Sequence, residues 1–317
     1  MDLTSNTTTL LNQTSSTIQL PFPSLLILFL TLQQIIFVVA CTSNLFVIYT
    51  VLRYMSLKDS SNVFILNLAI ADFFTGISTG IQILYMFYRH LDKNAVTCLL
   101  RYQGVGSMTI ASQVTVFLLS IDRYIAVCFP ECYKGMTSKK LSIIFVTLPW
   151  LVSMFLSVPP FFGWNNFDIA HTCSYSLLFT PDYFWTIAIT VCSLNLFSFI
   201  AHFLIFNEIR KFHKRTSPLI ALAIKDKIFK RGIRGSKVML FITIVFTICW
   251  IPSMSLSFAY ANGYTKDSNL NEASFWLAFL GILNSVLNPV IYAWYKNDFR
   301  KACHKACSCC YEQHQTD

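Results

Sequence analysis

Charge is scarce in this chain. Only 12% of its 317 residues are Asp, Glu, Lys or Arg, against about 25% in an ordinary soluble domain. Hydrophobic residues make up 55%. A soluble fold of this size leaves roughly a quarter of its unfolded-chain surface wet, so it cannot hide that much apolar area. The soluble class is excluded and an integral membrane protein remains. Other absences narrow the class. The apolar stretches do not alternate with period two, which argues against a membrane β-barrel. The start lacks a basic segment, a short apolar core and a small-residue cleavage site, so no cleaved signal peptide is expected. The six histidines (His90, His171, His202, His213, His304 and His314) are scattered. No catalytic dyad or metal-ligand set is visible, and an enzyme is not expected. No internal repeat relates one part of the chain to another, which argues against a transporter, the main rival class.

What is present is a series of seven apolar runs, at about 23–52, 61–87, 98–129, 141–161, 183–207, 238–261 and 274–295. A spanning helix needs roughly 20 mostly apolar residues. Lipid offers the backbone no hydrogen-bond partner, so each run should be helical. The predicted fold is an all-α, seven-transmembrane bundle over 23–295. It is preceded by an outer segment, 1–22, and followed by a short amphipathic helix and cytoplasmic tail, 296–317. Asn6 and Asn12 open Asn-X-Thr glycosylation acceptors, which suits an outside amino terminus.

Orientation follows from the bases. With the amino terminus outside, only Arg89, Lys93, Arg101 and Lys266 of the 24 Lys and Arg residues fall on the outer side. That is a strong positive-inside bias, expected for a multi-pass plasma-membrane protein. The net charge of +9 then reads as cytoplasmic loops facing anionic lipid, not as a nucleic-acid surface. Cys98 and Cys173 both fall outside, and a disulfide between them fits that oxidising compartment. Cys303, Cys307, Cys309 and Cys310 lie inside with only His304 beside them. No zinc set is visible there, and reversible palmitoylation is the expected use.

Several polar residues interrupt the apolar runs. On one helix Asp122 lies about 36 Å from Cys98, slightly more than the hydrocarbon thickness. Asp122-Arg123-Tyr124 therefore falls at the inner mouth of the third span. Asp72 sits in the middle of the second span, where a lone charge costs several kcal/mol. Ser112, Asn284, Ser285 and Asn288 stand at matching depth. Two readings are open: an oxygen-lined pocket for a sodium ion and water, or a hydrogen-bonded core cluster with no ion. Pro252 and Pro289 interrupt the sixth and seventh spans and should kink them. A kinked helix is a lever, and Trp250, one turn from the pocket floor, is either its contact to a ligand or simple filling.

Asp122-Arg123-Tyr124, "CWIP" (Cys249 to Pro252), "NPVIY" (Asn288 to Tyr292), "NLAIAD" (Asn67 to Asp72), Asn44, Trp150 and the Cys98/Cys173 pair occur in order on the expected spans. From about Leu25 to Cys310 the chain resembles a rhodopsin-like (class A) G-protein-coupled receptor. The resemblance implies that Asp122 holds Arg123 at rest. Arg123 is then offered to a heterotrimeric G protein when the sixth helix swings out and Tyr292 swings in. It also implies a sodium ion at Asp72 that leaves on activation, and an outer ligand pocket including Arg101, Val105, Thr109, Trp250, Met254, Ser257 and Phe275.

The same resemblance narrows the ligand. Val105 stands where amine receptors carry an aspartate, and Gly281-Ile282 where opsins carry the retinal lysine. "FGWNN" (Phe162 to Asn166), "LLSIDRYIAV" (Leu118 to Val127) and "GILNSVLNPVIYA" (Gly281 to Ala293) resemble the adenosine, cannabinoid, lysophospholipid and fatty-ethanolamide receptors. Val105 and Thr109 match the adenosine pattern. However, Met254, Ser257 and Ile282 replace its polar purine readers, and a site without those groups discriminates poorly for a purine. Arg101, one turn above Val105, is either a headgroup anchor or a side chain snorkelling to the interface. The expected ligand is a lipid-like extracellular small molecule, with a purine second and a non-signalling protein of receptor fold as a further alternative. The fifth span lacks the family's usual proline and inner tyrosine, with His202 near the latter's depth. Gln113 replaces an aliphatic residue facing Phe246, and Gly232 replaces an acid. These departures predict appreciable basal signalling.

Overall fold

The structure is a computed structural model that describes residues 23–136, 139–170, 173–215, 223–264 and 268–313. The glycosylation acceptors Asn6 and Asn12 lie outside these. Eight main helices follow one another: α1 (Pro23–Tyr54), α2 (Ser60–Phe87), α3 (Ala95–Cys128), α4 (Lys139–Ser157), α5 (Pro181–Arg215), α6 (Ala223–Ala261), α7 (Ser268–Tyr295) and α8 (Asn297–Gln313). Among the described residues, seven helical stretches are long and apolar enough to cross a membrane, and they lie on α1 to α7. The fold is a seven-helix membrane bundle with an eighth helix after the last span.

Local chemistry starts these helices where it does. Asp59 caps α2 by accepting from the Ser61 amide at 3.1 Å. Asn94 caps α3 by accepting from the amides of Val96 and Thr97 at 2.9 and 3.3 Å. α3 therefore begins at Ala95, three residues earlier than the apolar run indicates, where the Asn94 cap sets its start. α5 and α6 extend past their apolar runs, to Arg215 and from Ala223. Much of the basic segment between Glu208 and Lys237 is thus helix, since Lys, Arg, Glu and Ile are adequate helix formers in water. Prolines 149, 252 and 289 lie inside α4, α6 and α7.

α3 is the central post and packs against α2, α4, α5 and α6. Large apolar side chains such as Phe155, Leu151 and Ile248 point outward, as a lipid-facing surface requires. Inside, two apolar clusters stack along the bundle axis. The inner one joins Phe64, Leu68, Leu119, Ile242, Phe246, Tyr292 and Phe299. The outer one joins Leu99, Leu178, Phe179, Tyr183, Phe184, Leu256 and Tyr260 around Cys98. Between α4 and α5 the outer loop carries short helices at Phe167–Ala170 and Tyr175–Leu178. The disulfide Cys98–Cys173, with Cα atoms 5.8 Å apart, fastens this loop to α3.

Candidate functional site

At the inner mouth, Arg123 and Asp122 form a closed polar knot. The Arg123 Nε donates to Asp122 Oδ2 at 2.8 Å, and its Nη2 makes a second bond to the same oxygen. That Nη2 also donates to Ser60 on α2 at 3.2 Å and to the Tyr133 hydroxyl at 2.9 Å. Tyr133 in turn donates to Asp122 Oδ1 at 3.2 Å, from the short helix Pro130–Met136. Both carboxylate oxygens are therefore occupied, and Asp122 is only 3% exposed. Burial pushes the Tyr133 phenol above its ordinary pKa, although Arg123 draws it back down, so it remains a donor. Neither Tyr133 nor Ser60 was foreseen; of the partners of Arg123, Asp122 alone is its chain neighbour. Tyr124 is half-buried with its ring against Phe129.

One layer outward, the Tyr292 ring is completely buried and packs 6.0 Å from Phe299 of α8. Its hydroxyl has no hydrogen-bond partner among the described residues. α8 buries Phe299, Ala302 and Ala306 on one face, while Arg300 and Lys301 are exposed. That spacing makes it amphipathic. Cys303 is half-buried and Cys307 exposed on this helix. The side chains of Cys309 and Cys310 fall outside the described set.

The mid-membrane polar core gathers around Asp72, which is 1% exposed. Ser285 donates to its Oδ1 at 3.0 Å and Asn288 to its Oδ2 at 2.7 Å. Asn44 on α1 donates to the Ser285 carbonyl at 2.9 Å, tying α1 to α7 at this level. Three buried oxygens, Ser112 Oγ, Asn284 Oδ1 and Asn288 Oδ1, have no hydrogen-bond partner among the described residues. Of these, Asn288 Oδ1 belongs to a side chain that also bonds Asp72, and an uncommitted oxygen so close to a buried carboxylate is donor chemistry that suits a hard cation. Nearby, Trp150 donates to Asn67 at 2.7 Å and Asn67 to Thr115 at 3.1 Å, which joins α4, α2 and α3. The motif residues Asn67 and Trp150 thus form a structural tie, a pairing that spacing alone does not reveal.

Above this core Trp250 lies over Gly281. A Cβ placed on Gly281 would stand 2.9 Å from the indole ring, closer than side chains approach. Glycine is required here so that α7 can accept the ring. Trp250 also packs 6.2 Å from Phe246, one turn inward. Met254 and Ser257 are buried on the next turns of α6, and Val105 and Thr109 are half-buried on α3. The Thr109 hydroxyl is spent on the Val105 carbonyl at 2.9 Å. Phe275 lies on α7 with its side chain outside the described set.

The outer mouth is stoppered by aromatic rings. Tyr175 from the outer loop contacts Tyr102 of α3 at 5.6 Å, Phe184 of α5 at 5.5 Å and Tyr260 of α6 at 6.4 Å. Arg101 is engaged on the α2 side. Its Nη1 meets Asp92 at 3.0 Å, its Nε donates to Gln82 at 2.9 Å, and its guanidinium lies about 5 Å from the rings of Tyr85 and Tyr102. Sequence reasoning missed Tyr175 and Asp92, because loop residues carry no period that would register them against a helix.

Among the described residues, no group of three or more His, Cys, Asp and Glu side chains could hold a metal ion. A family model described as 7 transmembrane receptor (rhodopsin family) matches residues 43–292. The lysophosphatidic acid receptor 3 of Rattus norvegicus is 24% identical over 276 residues, covering 84% of this chain and 75% of that one. The cannabinoid receptor 2 of Mus musculus is 27% identical over 290 residues, covering 85% and 80%. Melanopsin-A of Danio rerio is 26% identical over 286 residues, covering 84% and 47%.

Proposed function

The chain belongs to the rhodopsin family of seven-transmembrane receptors, and from that premise we propose that it carries an extracellular, lipid-like small-molecule signal to heterotrimeric G proteins. The family is one of plasma-membrane receptors, not enzymes. The observation that carries the G-protein half of the proposal is the knot at the inner mouth. Arg123 is held there by Asp122, Ser60 and Tyr133, on α3, α2 and the short helix that follows α3, so no bond to α6 has to break before a partner reaches it. Outward motion of α6 about Pro252 exposes this end of α3 to a cytosolic partner. Ligand binding acts by biasing two packings of the same bundle, not by creating a new one. The basic inner ends of α5 and α6 steer that partner toward the anionic membrane face.

The ligand half rests on the chemistry of the outer cavity. Val105, Met254 and Trp250 offer an apolar wall, which suits an acyl chain. No lysine lies between 267 and 295, so no retinal Schiff base can form on α7 despite the melanopsin relative. No carboxylate stands at Val105 for an amine. The relatives named for lysophosphatidic acid and cannabinoids agree with a lipid-like ligand. Because Asp92 already neutralises Arg101, a neutral polar end is favoured over a phosphate.

Asp72, Ser112, Asn284 and Asn288 are the residues that would hold a sodium ion. Its one positive charge would offset the Asp72 carboxylate in a low-dielectric setting.

The test is a panel of fatty amides, lysophospholipids and nucleosides on cells carrying the wild type or Arg123→Ala, read by G-protein dissociation. A response to lipids that Arg123→Ala loses at equal surface expression is expected. A response confined to nucleosides would replace the ligand assignment. A full response from Arg123→Ala would overturn the G-protein assignment.

A further inference from the structure

A fully buried amide lies between the outer cavity and the latch. Gln113 of α3 is one turn inward of Thr109 and about 15 Å outward of Arg123 along the same helix. Neither its Oε1 nor its Nε2 has a hydrogen-bond partner among the described residues. A buried amide left in that state favours any packing of the bundle that gives it a partner.

Helical register identifies the partner. Ser120 of α3 and His202 of α5 meet at 3.3 Å. Gln113 stands seven residues outward of Ser120, and Asn195 seven outward of His202. Both helices run inward, and that spacing is about two turns, on nearly the same face. Gln113 and Asn195 are therefore placed at one depth on the facing sides of α3 and α5. Asn195 is buried as well. Its Nδ2 donates to the Val191 carbonyl of its own helix at 3.0 Å, and its Oδ1 lies 3.1 Å from the Thr247 hydroxyl of α6. That hydroxyl has one proton and a nearer acceptor, the Thr243 carbonyl at 2.7 Å. The Asn195 oxygen is thus held toward α6 by a weak contact only, and Thr247 keeps its own carbonyl if α6 leaves.

On the outward swing of α6 proposed above, on which this rests, we infer that Gln113 and Asn195 are positioning residues that exchange partners. As Thr247 departs with α6, the Asn195 Oδ1 turns to α3 and accepts from the Gln113 Nε2. The bond exists only in the open packing. It replaces an unpaired donor and a weak contact by one direct hydrogen bond, and so favours that packing even without ligand.

The test is a double-mutant cycle on the full-length receptor without ligand. The open fraction of the purified protein is read as the longer-distance population of spin labels at Ile143 on α4 and Lys237 on α6, both exposed. Ligand-free G-protein dissociation is read in cells at matched surface expression. Gln113→Leu should lower both roughly tenfold, the size of one buried hydrogen bond. In an Asn195→Leu background, where the open packing offers no acceptor, Gln113→Leu should change neither. A side chain that only fills space would act alike in both backgrounds. Asn195→Ala supplies the background if Asn195→Leu does not fold. Exchanging the two arms, Gln113→Asn together with Asn195→Gln, should restore part of the open fraction that Gln113→Asn alone loses. Equal effects of Gln113→Leu in the two backgrounds, or no effect in either, would overturn the exchange. The label distances need no partner protein. A receptor that opens in this pattern yet dissociates no heterotrimer would overturn the G-protein assignment and leave the exchange standing.

Discussion

His202 on α5 reaches Thr243 on α6 through one ring nitrogen, Nε2, at 3.2 Å, and the same nitrogen lies 3.3 Å from Ser120 on α3. Both hydroxyls already donate one turn back along their own helices, Thr243 to the Met239 carbonyl and Ser120 to that of Val116. With those protons committed, the ring must be the donor, which assigns the proton to Nε2. One buried histidine thus links the three helices that must part at the inner mouth. In the sequence His202 reads as a weakening departure; the structure shows it forming a tie of its own.

Replacing that histidine should loosen the resting packing. His202→Phe keeps an aromatic ring but removes the donor, a change of about 1–3 kcal/mol at a buried site. Ligand-free G-protein dissociation, compared at matched surface expression, should rise several-fold. Output equal to or below the wild type would show that the tie does not favour the resting state.

Gln113 on α3 is completely buried, and neither its Oε1 nor its Nε2 has a hydrogen-bond partner among the described residues. An unsatisfied amide in such a place costs about 1–3 kcal/mol. Gln113→Leu, close in volume and without polar atoms, should raise the thermal unfolding midpoint of the purified receptor by several degrees. A lowered midpoint would mean that the amide has partners, such as water, in the membrane.

Gly281→Ala forces a methyl group against the Trp250 indole, where the contact would be 2.9 Å. Overpacking of this kind costs about 1–3 kcal/mol. Thermal unfolding should show the loss, and Trp250→Phe in the same chain should recover part of it, because the two sites share one contact. Additive effects would contradict the packing described.

Asp92→Asn leaves Arg101 without its carboxylate partner, the 3.0 Å ion pair between them. If the outer cavity takes a lipid-like ligand, sensitivity to an anionic lysophospholipid should rise roughly tenfold relative to a neutral fatty amide, the size of one charge-assisted contact. Unchanged relative sensitivity would place Arg101 out of reach of the ligand's polar end.

The spans and the inner position of Arg123 were legible in the sequence because the bilayer imposes them. Twenty apolar residues have little choice but helix, and counting along one helix from Cys98 locates Asp122. Asp72 was legible for a related reason, since a mid-span carboxylate has to find polar company. Tyr133, Asp92 and Tyr175 were not. Each reaches its partner from a segment outside the long helices, where no period sets the register. Ser60 and Gln82 lie on α2, but which face of α2 meets α3 is decided by tertiary packing. Gln113 was recognised as unusual, yet only the structure shows it without a partner.

When the receptor engages its G protein, α6 leaves the inner mouth and so opens the way to Arg123. The direct measurement is the distance between spin labels at Ile143 on α4 and Lys237 on α6, both exposed near the inner face. Labels carried on non-canonical amino acids spare the native thiols. Pulsed electron resonance on the reconstituted receptor, alone and with nucleotide-free heterotrimers of the stimulatory, inhibitory and phospholipase-activating classes, reads that distance. A longer-distance population is expected with the heterotrimer that couples, and none in Arg123→Ala. A distance distribution that stays unchanged while a heterotrimer is demonstrably bound would contradict that movement of α6.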